Sequence, residues 1–269
     1  MQTITSVQND KIKYVVRLSK ESALRRSDMA FVVEGIRMVR EVPVEDILEL
    51  FVTEEALCKY NEIEDIIDKI DDESIFEVSK NVMEKISDTK TPQGILAVVR
   101  LKEHFLEELT EVENPFIFIL DRIQDPGNLG TIIRTAEAVG ASGVLISADS
   151  AAPYAPKTVR STMGGVLRVP IIISEELVID IERIKEAGIT VFGTHLSGKD
   201  FYAEDFTKPA AFLIGNEGRG LSDEVSATAN KLIRIPMKGK VESLNAAVSA
   251  SVTGYEVMRQ REVSITSLK

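Results

Sequence analysis

Residues 116–147 read FIFILDRIQDPGNLGTIIRTAEAVGASGVLIS. The stretch opens on a run without a polar side chain, Phe116 to Leu120, and turns at Pro126-Gly127. It continues with helical periodicity from Gly130 to Val139 and closes on a second apolar run, Gly143 to Ser147. Short strands that are apolar on both faces, separated by a helix, are the mark of a parallel sheet covered on both sides. The same alternation continues toward the C-terminus. Strands are predicted at 169–173, 189–194, 210–215 and 231–237, and helices at 157–165, 175–187 and 223–229. A last helix is predicted from Leu244 to Arg261, with Val248, Val252, Tyr255 and Met258 at apolar positions. The fold class is therefore α/β with a mostly parallel C-terminal sheet, and ligands belong at the carboxyl ends of its strands.

Upstream, apolar runs at Phe31–Val33, Ile47–Val52, Ile75–Val78 and Ile95–Val99 alternate with helical patterns through Val42, at 55–70 and at 79–86. This is a second, smaller α/β unit. Residues 101–114 are charge-rich and end at Asn114-Pro115, where a continuous helix is disfavoured. The division expected is an N-terminal domain over 1–101, a linker over 102–114 with room for one helical turn, and a C-terminal domain over 115–269.

A 44% apolar and 28% charged chain of 269 residues has the composition of a soluble globular protein. No apolar run approaches the roughly 20 residues of a membrane span. The start MQTITSVQNDK has neither the basic nor the apolar part of a signal peptide, so a cytoplasmic location is expected. Cys58 is the single cysteine, and His104 and His195 lie far apart. No disulfide framework and no metal site are expected. The net charge of −11 argues against a general nucleic-acid binder. Its distribution is uneven: Lys11, Lys13, Arg17, Lys20, Arg25, Arg26, Arg37 and Arg40 crowd the first 41 residues, and 45–77 is strongly acidic. Solvated helix faces account for both regions, and a local basic surface remains open.

Three loops carry the chemistry. In the first, 121–134, Asn128 reads as a helix N-cap. Arg134 then falls near the helix start, where an arginine opposes the helix dipole and points to a nearby anion. In the second, Gly215-Asn216-Glu217-Gly218-Arg219-Gly220-Leu221, three glycines allow close approach of the backbone to a ligand. The order GxxGxG, its late position and Glu217 all disagree with a dinucleotide fingerprint, so a ligand held through adenine and ribose fits better than a pyrophosphate. In the third, 235–247, Ser243 reads as the N-cap of the last helix and Asn245 as a residue of its first turn. The small residues that follow, Ala246, Ala247, Ser249, Ala250 and Ser251, suit close helix packing, including packing between subunits.

Together the three loops resemble the motifs of the SpoU/TrmH branch of the SPOUT methyltransferases: NLGTIIRTA at 128–136, GNEGRGL at 215–221 and IPMKGKVESLNAA at 235–247. The intervening run APKTVRSTMGG at 155–165 is similar to the family too, and the resemblance spans 113–262. The N-terminal part resembles, more weakly, the substrate-recognition domain of ribosomal-RNA members, an L30e-like α/β unit. The resemblance implies transfer of a methyl group from S-adenosylmethionine to an RNA ribose 2′-oxygen, with 23S ribosomal RNA as the substrate. It also implies a deep trefoil knot, an exception to ordinary topology, and a homodimer formed through the C-terminal domain. Carried over by position, Thr194, Gly215, Ile235, Met237 and Leu244 would bind the cofactor. Arg134 would act at the reacting hydroxyl, with Asn128, Glu217, Ser243 and Asn245 positioning it and the RNA. A transfer-RNA 2′-O-methyltransferase, or a non-catalytic RNA-binding or ribosome-assembly protein of the same fold, are the alternatives.

Overall fold

The computed structural model describes residues 1–267, with side chains through residue 263, so the end of the predicted 115–269 domain lies outside the described residues. The chain divides into two compact units.

The first unit comprises Met1–Lys102 together with Ala152–Leu167. Its strands β1 (Gln2–Ile4), β2 (Ala30–Glu34), β3 (Ile47–Val52), β4 (Ile75–Val78) and β5 (Ile95–Arg100) form one sheet in the order β1-β4-β3-β5-β2. β1, β4 and β3 are parallel, while β5 runs antiparallel to both β3 and β2. Helix α1 (Asp10–Lys20) places Ile12, Val15 and Leu18 in the core, and its N-terminus is capped by the Asn9 side chain. That helix, α2 (Ser22–Ser27) and the short β1 were not placed from sequence, although Asn9 followed by Ile12, Val15 and Leu18 was a usable signal for α1. The expected helix over 55–70 is two, α4 (Glu54–Lys59) and α5 (Glu62–Ile67), broken at Tyr60-Asn61. α3 (Ile36–Val39) and α6 (Lys80–Ile86) lie where helical patterns were read. The segment 152–167 enters this unit through α9 (Pro156–Thr162), which packs on β2, and through Tyr154, whose ring lies 5.1 Å from that of Phe31.

The second unit is a six-stranded sheet in the order β11-β9-β10-β6-β7-β8, parallel throughout. Its strands are β6 (Phe116–Leu120), β7 (Gly143–Ser147), β8 (Ile171–Ser174), β9 (Thr190–Asp200), β10 (Ala210–Ile214) and β11 (Lys231–Arg234). Every residue of β6, β7 and β10 is buried, as their unbroken apolar runs require. One face is covered by α10 (Leu177–Glu186) and α11 (Asp223–Thr228), with Ile181, Ile184 and Val225 in the core. α7 (Leu106–Thr110), inside the charge-rich stretch, sends Leu109 fully buried into the same core. The other face carries Phe118, which packs under α12 (Ala246–Ser267) at Gly254, where an added Cβ would stand 3.2 Å from the ring. α8 (Pro126–Ala138) packs on α12, joined by a 3.0 Å hydrogen bond between Thr135 and Ser251.

β8 starts two residues later than predicted, because Pro170 can accept from Val144 N–H but cannot donate to the ladder. β9 departs most. Its pairing with β11 jumps from Gly193–Leu232 to Lys199–Ile233, so Thr194–Gly198 bulge out of the ladder. An added Cβ on Gly198 would lie 2.4 Å from the Ile233 carbonyl carbon, so glycine is required where the bulge returns.

Candidate functional site

The site is built where β6, β9, β10 and β11 end and α8 and α12 begin. After β6, Asp125 caps α8 by accepting from Asn128 N–H at 2.8 Å, and Pro126 takes the first helical position. Asn128 is therefore not the N-cap expected from sequence; it is the third residue of the helix, and its side-chain amide acts elsewhere. Arg134 correspondingly lies in the third turn of α8, too far from the helix start to oppose its dipole. Its side chain is exposed and has no hydrogen-bonding or ionic partner among the described residues.

After β10 the glycine loop closes on itself. Asn216 and Gly220 exchange backbone hydrogen bonds of 3.0 and 2.9 Å, and the Asn216 Oδ1 accepts from Gly218 N–H and Arg219 N–H. A Cβ on Gly215 would stand 2.2 Å from the Gly220 carbonyl carbon, so no other residue fits that crossing. The loop N–H groups of Gly218, Arg219 and Gly220 are thus spent internally. A phosphate-binding loop instead aims such groups at its ligand.

Glu217, at the tip, reaches back to the first loop. Its carboxylate accepts from Gln124 N–H and Asp125 N–H, both at 3.1 Å, and from Asn128 Nδ2 at 2.9 Å. Partial burial pushes this carboxyl up, but the hydrogen bonds from the Asn128 amide and the backbone N–H groups outweigh it and hold the group below the usual range. Asn128 Oδ1 in turn accepts from Asn245 Nδ2 at 2.9 Å. Asn245 Oδ1 accepts from Ala247 N–H and Val248 N–H at 2.9 and 3.3 Å, which makes Asn245 the N-cap of α12. Ser243 does not have the capping role expected of it, since the helix begins at Ala246; it is exposed in the preceding loop.

Beside this chain of hydrogen bonds lies a cleft of about 350 Å³. Thr194, Gly215, Ile235, Met237 and Leu244 all line it, as do Glu217 and Ser243. Thr194, at the base of the β9 bulge, is fixed by a 2.8 Å hydrogen bond from its hydroxyl to the Leu213 carbonyl. The structure brings Asn128, Glu217 and Asn245 into one network and leaves Arg134 and Ser243 outside it.

Two residues that sequence reasoning passed over hold the loops in place. Asp121, 3% exposed, accepts from Ser222 N–H at 2.6 Å and from Arg122 Nε at 3.0 Å. Asn216 Nδ2 donates to the Arg122 carbonyl at 2.8 Å, bracing a residue held in the left-handed region at φ 54°. An aspartate directly after an apolar strand and an asparagine in a glycine turn were the available signals. Among the described residues no group of three His, Cys, Asp or Glu is placed to hold a metal, and no helix is long and apolar enough to cross a membrane. His104 pairs with Glu108 and His195 with Ser197.

Residues 115–255 match the model of the SpoU rRNA Methylase family, and residues 9–97 that of the MRM3-like substrate binding domain. The Bacillus subtilis 23S rRNA (guanosine(2553)-2′-O)-methyltransferase RlmP is 30% identical over 96% of this chain and 99% of its own length. The 23S rRNA (uridine(2479)-2′-O)-methyltransferase of Streptomyces viridochromogenes is 37% identical over 67% of this chain and 65% of its own. Among solved structures, an AdoMet-bound rRNA methyltransferase from Sinorhizobium meliloti superposes with a TM-score of 0.84 at 30% identity, covering 96% of this chain and 97% of that one.

Proposed function

The chain belongs to the SpoU rRNA methylase family, and from that we infer that it is an S-adenosylmethionine-dependent methyltransferase acting on a ribose 2′-hydroxyl of 23S ribosomal RNA. The observation that carries the reading is the convergence of Thr194, Gly215, Ile235, Met237 and Leu244 on one cleft, adjoining the Asn128–Glu217–Asn245 network. The cleft suits this cofactor in kind. Its volume lies in the range of small-molecule sites, its walls mix apolar side chains with backbone edges, and the Gly218, Arg219 and Gly220 N–H groups of its glycine loop are already bonded within the loop rather than aimed at a pyrophosphate.

When bound, the cofactor supplies a methyl group activated by a sulfonium. The chain must hold a ribose oxygen in line with that methyl and let its proton go. Arg134 is proposed as the group that orients the reacting ribose and offsets negative charge developing on its oxygen, through a guanidinium that stays protonated. Glu217 is a poor base for the step, because its carboxylate is held in the charged form by three donors. It instead locks the first and second loops together. Asn128 and Asn245 extend the lock to the third loop, and Ser243 is proposed to contact the substrate. The hydroxyl proton is assigned to a substrate phosphate oxygen or to water.

Finer features follow from the same family reading. We propose residues 1–101 as an L30e-like RNA-binding domain, 102–114 as the connector, and 115–269 as the methyltransferase domain with a deep trefoil knot. A homodimer is proposed through α12, whose Val248 and Tyr255 are 46% and 51% exposed on one stripe of the helix. The cytoplasm is the proposed location.

The test incubates the protein with methyl-labelled S-adenosylmethionine and unmodified 23S ribosomal RNA, then digests the RNA to nucleosides. Label in a 2′-O-methylnucleoside is expected. Label on a base would overturn the reaction, and label in transfer RNA alone would move the substrate. Tight cofactor binding with no label in any RNA would favour a non-catalytic role.

A further inference from the structure

We propose that the first unit holds RNA phosphates at a cleft around the Gly35 turn, with Arg37, Arg40 and Arg160 as the contacting side chains. The proposal rests on the RNA reading above and names the surface that engages it.

Two clefts of similar size are lined by described residues of the first unit. The one of about 660 Å³ is lined by Glu54, Glu55, Glu77 and Glu84 against Lys59 and Lys80, a poor setting for a polyanion. The other, of about 570 Å³, is lined by Arg37, Arg40 and Arg160 against Glu34 and Glu41. The Glu34 carboxylate is already engaged, by Asp88 N–H at 2.9 Å and by the Thr89 hydroxyl. Arg37 is exposed and has no partner among the described residues. Arg40 and Arg160 reach Glu62 and Asp88, whose side chains are 46% and 47% exposed. Pairs to carboxylates this open to solvent are weak, so a phosphate can compete with either carboxylate.

The cleft is assembled from three separate stretches of chain. Gly35 adopts φ +94°, and an added Cβ would stand 2.8 Å from Gln93 Oε1, which accepts from Ile36 N–H at 3.1 Å. Arg160 arrives on α9 from the middle of the sequence. Met163, next on that segment, sits in the left-handed region at φ 49° and is 48% exposed. A guanidinium cluster beside an exposed thioether offers both charge for phosphate oxygens and apolar surface for an unstacked base. The basic N-terminal stretch divides accordingly: Lys13 and Arg17 are neutralised along α1 by Asp10 and Glu21, while Arg37 and Arg40 face the cleft.

Filter binding of 23S ribosomal RNA over a salt series tests the assignment on the full chain. Arg37→Ala with Arg40→Ala is expected to raise the RNA Kd about tenfold or more and to lower the salt dependence by roughly one to two phosphate contacts. Cofactor affinity should stay within about twofold, and Arg37→Lys should restore part of the binding as a point charge. Glu55→Gln with Glu84→Gln in the acidic cleft should leave the Kd near that of the wild type. An unchanged Kd and salt slope in the double arginine variant, with the wild type binding normally, would overturn the cleft and leave the methyltransferase reading intact. A wild-type chain that binds no RNA would overturn both.

Discussion

Two sets of polar side chains at the C-terminal site come from the same neighbouring loops and helix α8, and they behave in opposite ways. Asn128, Glu217 and Asn245 are committed: each is bonded to another loop, and the last also caps α12. Arg134 and Ser243 are uncommitted, exposed and outside that network. The family pattern puts all five at the reaction, but their geometry separates three that hold loops together from two proposed to meet the substrate. A group that holds loops together contributes to folding and to cofactor affinity. A group with no intramolecular partner contributes only when substrate arrives.

That separation is open to measurement. The largest effect is expected at the uncommitted side. Arg134→Ala should lower the single-turnover methylation rate by about 10²–10³-fold, the scale of one lost charge-stabilising donor, with melting temperature and cofactor Kd nearly unchanged. If Arg134→Lys kept near-wild-type turnover, the fork of the guanidinium would be unnecessary. Next comes Gly215→Ala, where the added methyl has no space against the Gly220 backbone. It should cost about 1–3 kcal/mol of stability and reduce cofactor affinity steeply, measured by thermal melting and calorimetry. Glu217→Gln should act in the committed manner. One acceptor oxygen becomes a donor facing N–H groups, so unfolding free energy should fall by about 1–3 kcal/mol and cofactor affinity should fall before the chemical step does. Asn245→Ala should remove a cap worth about 1 kcal/mol and loosen the third loop.

The pH dependence gives the smallest and sharpest distinction. The Glu217 carboxyl is depressed in the folded chain, so its contribution is complete above its unfolded value of about 4.3 and is lost as pH falls through the lower folded value. Stability should therefore be insensitive to this group from neutral pH down to about 5 and fall below that. Glu217→Gln should flatten that acid limb relative to the wild type. A variant whose acid limb is unchanged would show the network to be less binding than its distances indicate.

The parts of the site that depend on local sequence were legible. Glycine order, apolar strands and turn residues placed the three loops, and the family resemblance supplied the five positions that line the cleft. What escaped depends on where an element starts or on residues far apart in the chain. Reading the α8 N-cap at Asn128 moved Arg134 toward the helix start, although Pro126 was a usable signal for an earlier one. Reading the α12 cap at Ser243 displaced Asn245 in the same way. The Asn128–Asn245 hydrogen bond joins residues 117 positions apart, and no local pattern encodes it. The strand predicted over 189–194 stopped where the bulge begins, whereas β9 runs through it and resumes pairing with β11 at Lys199, a register shift that no local pattern encodes.

The return of Tyr154 and α9 to the first unit bears on how such a protein can be cut or recombined. A gene fragment ending at residue 102 would lack the ring that packs on Phe31, which is 2% exposed in the whole chain, and would lose Arg160 as well. The backbone passes between the two units at 102–103, at 151–152 and again at 167–168. A domain graft made at the first of these junctions would carry over the outline of the N-terminal unit without one of its own walls. Productive exchange between relatives would have to bring the 152–167 insert along with residues 1–102, a constraint visible in recombinants as paired inheritance of two distant stretches.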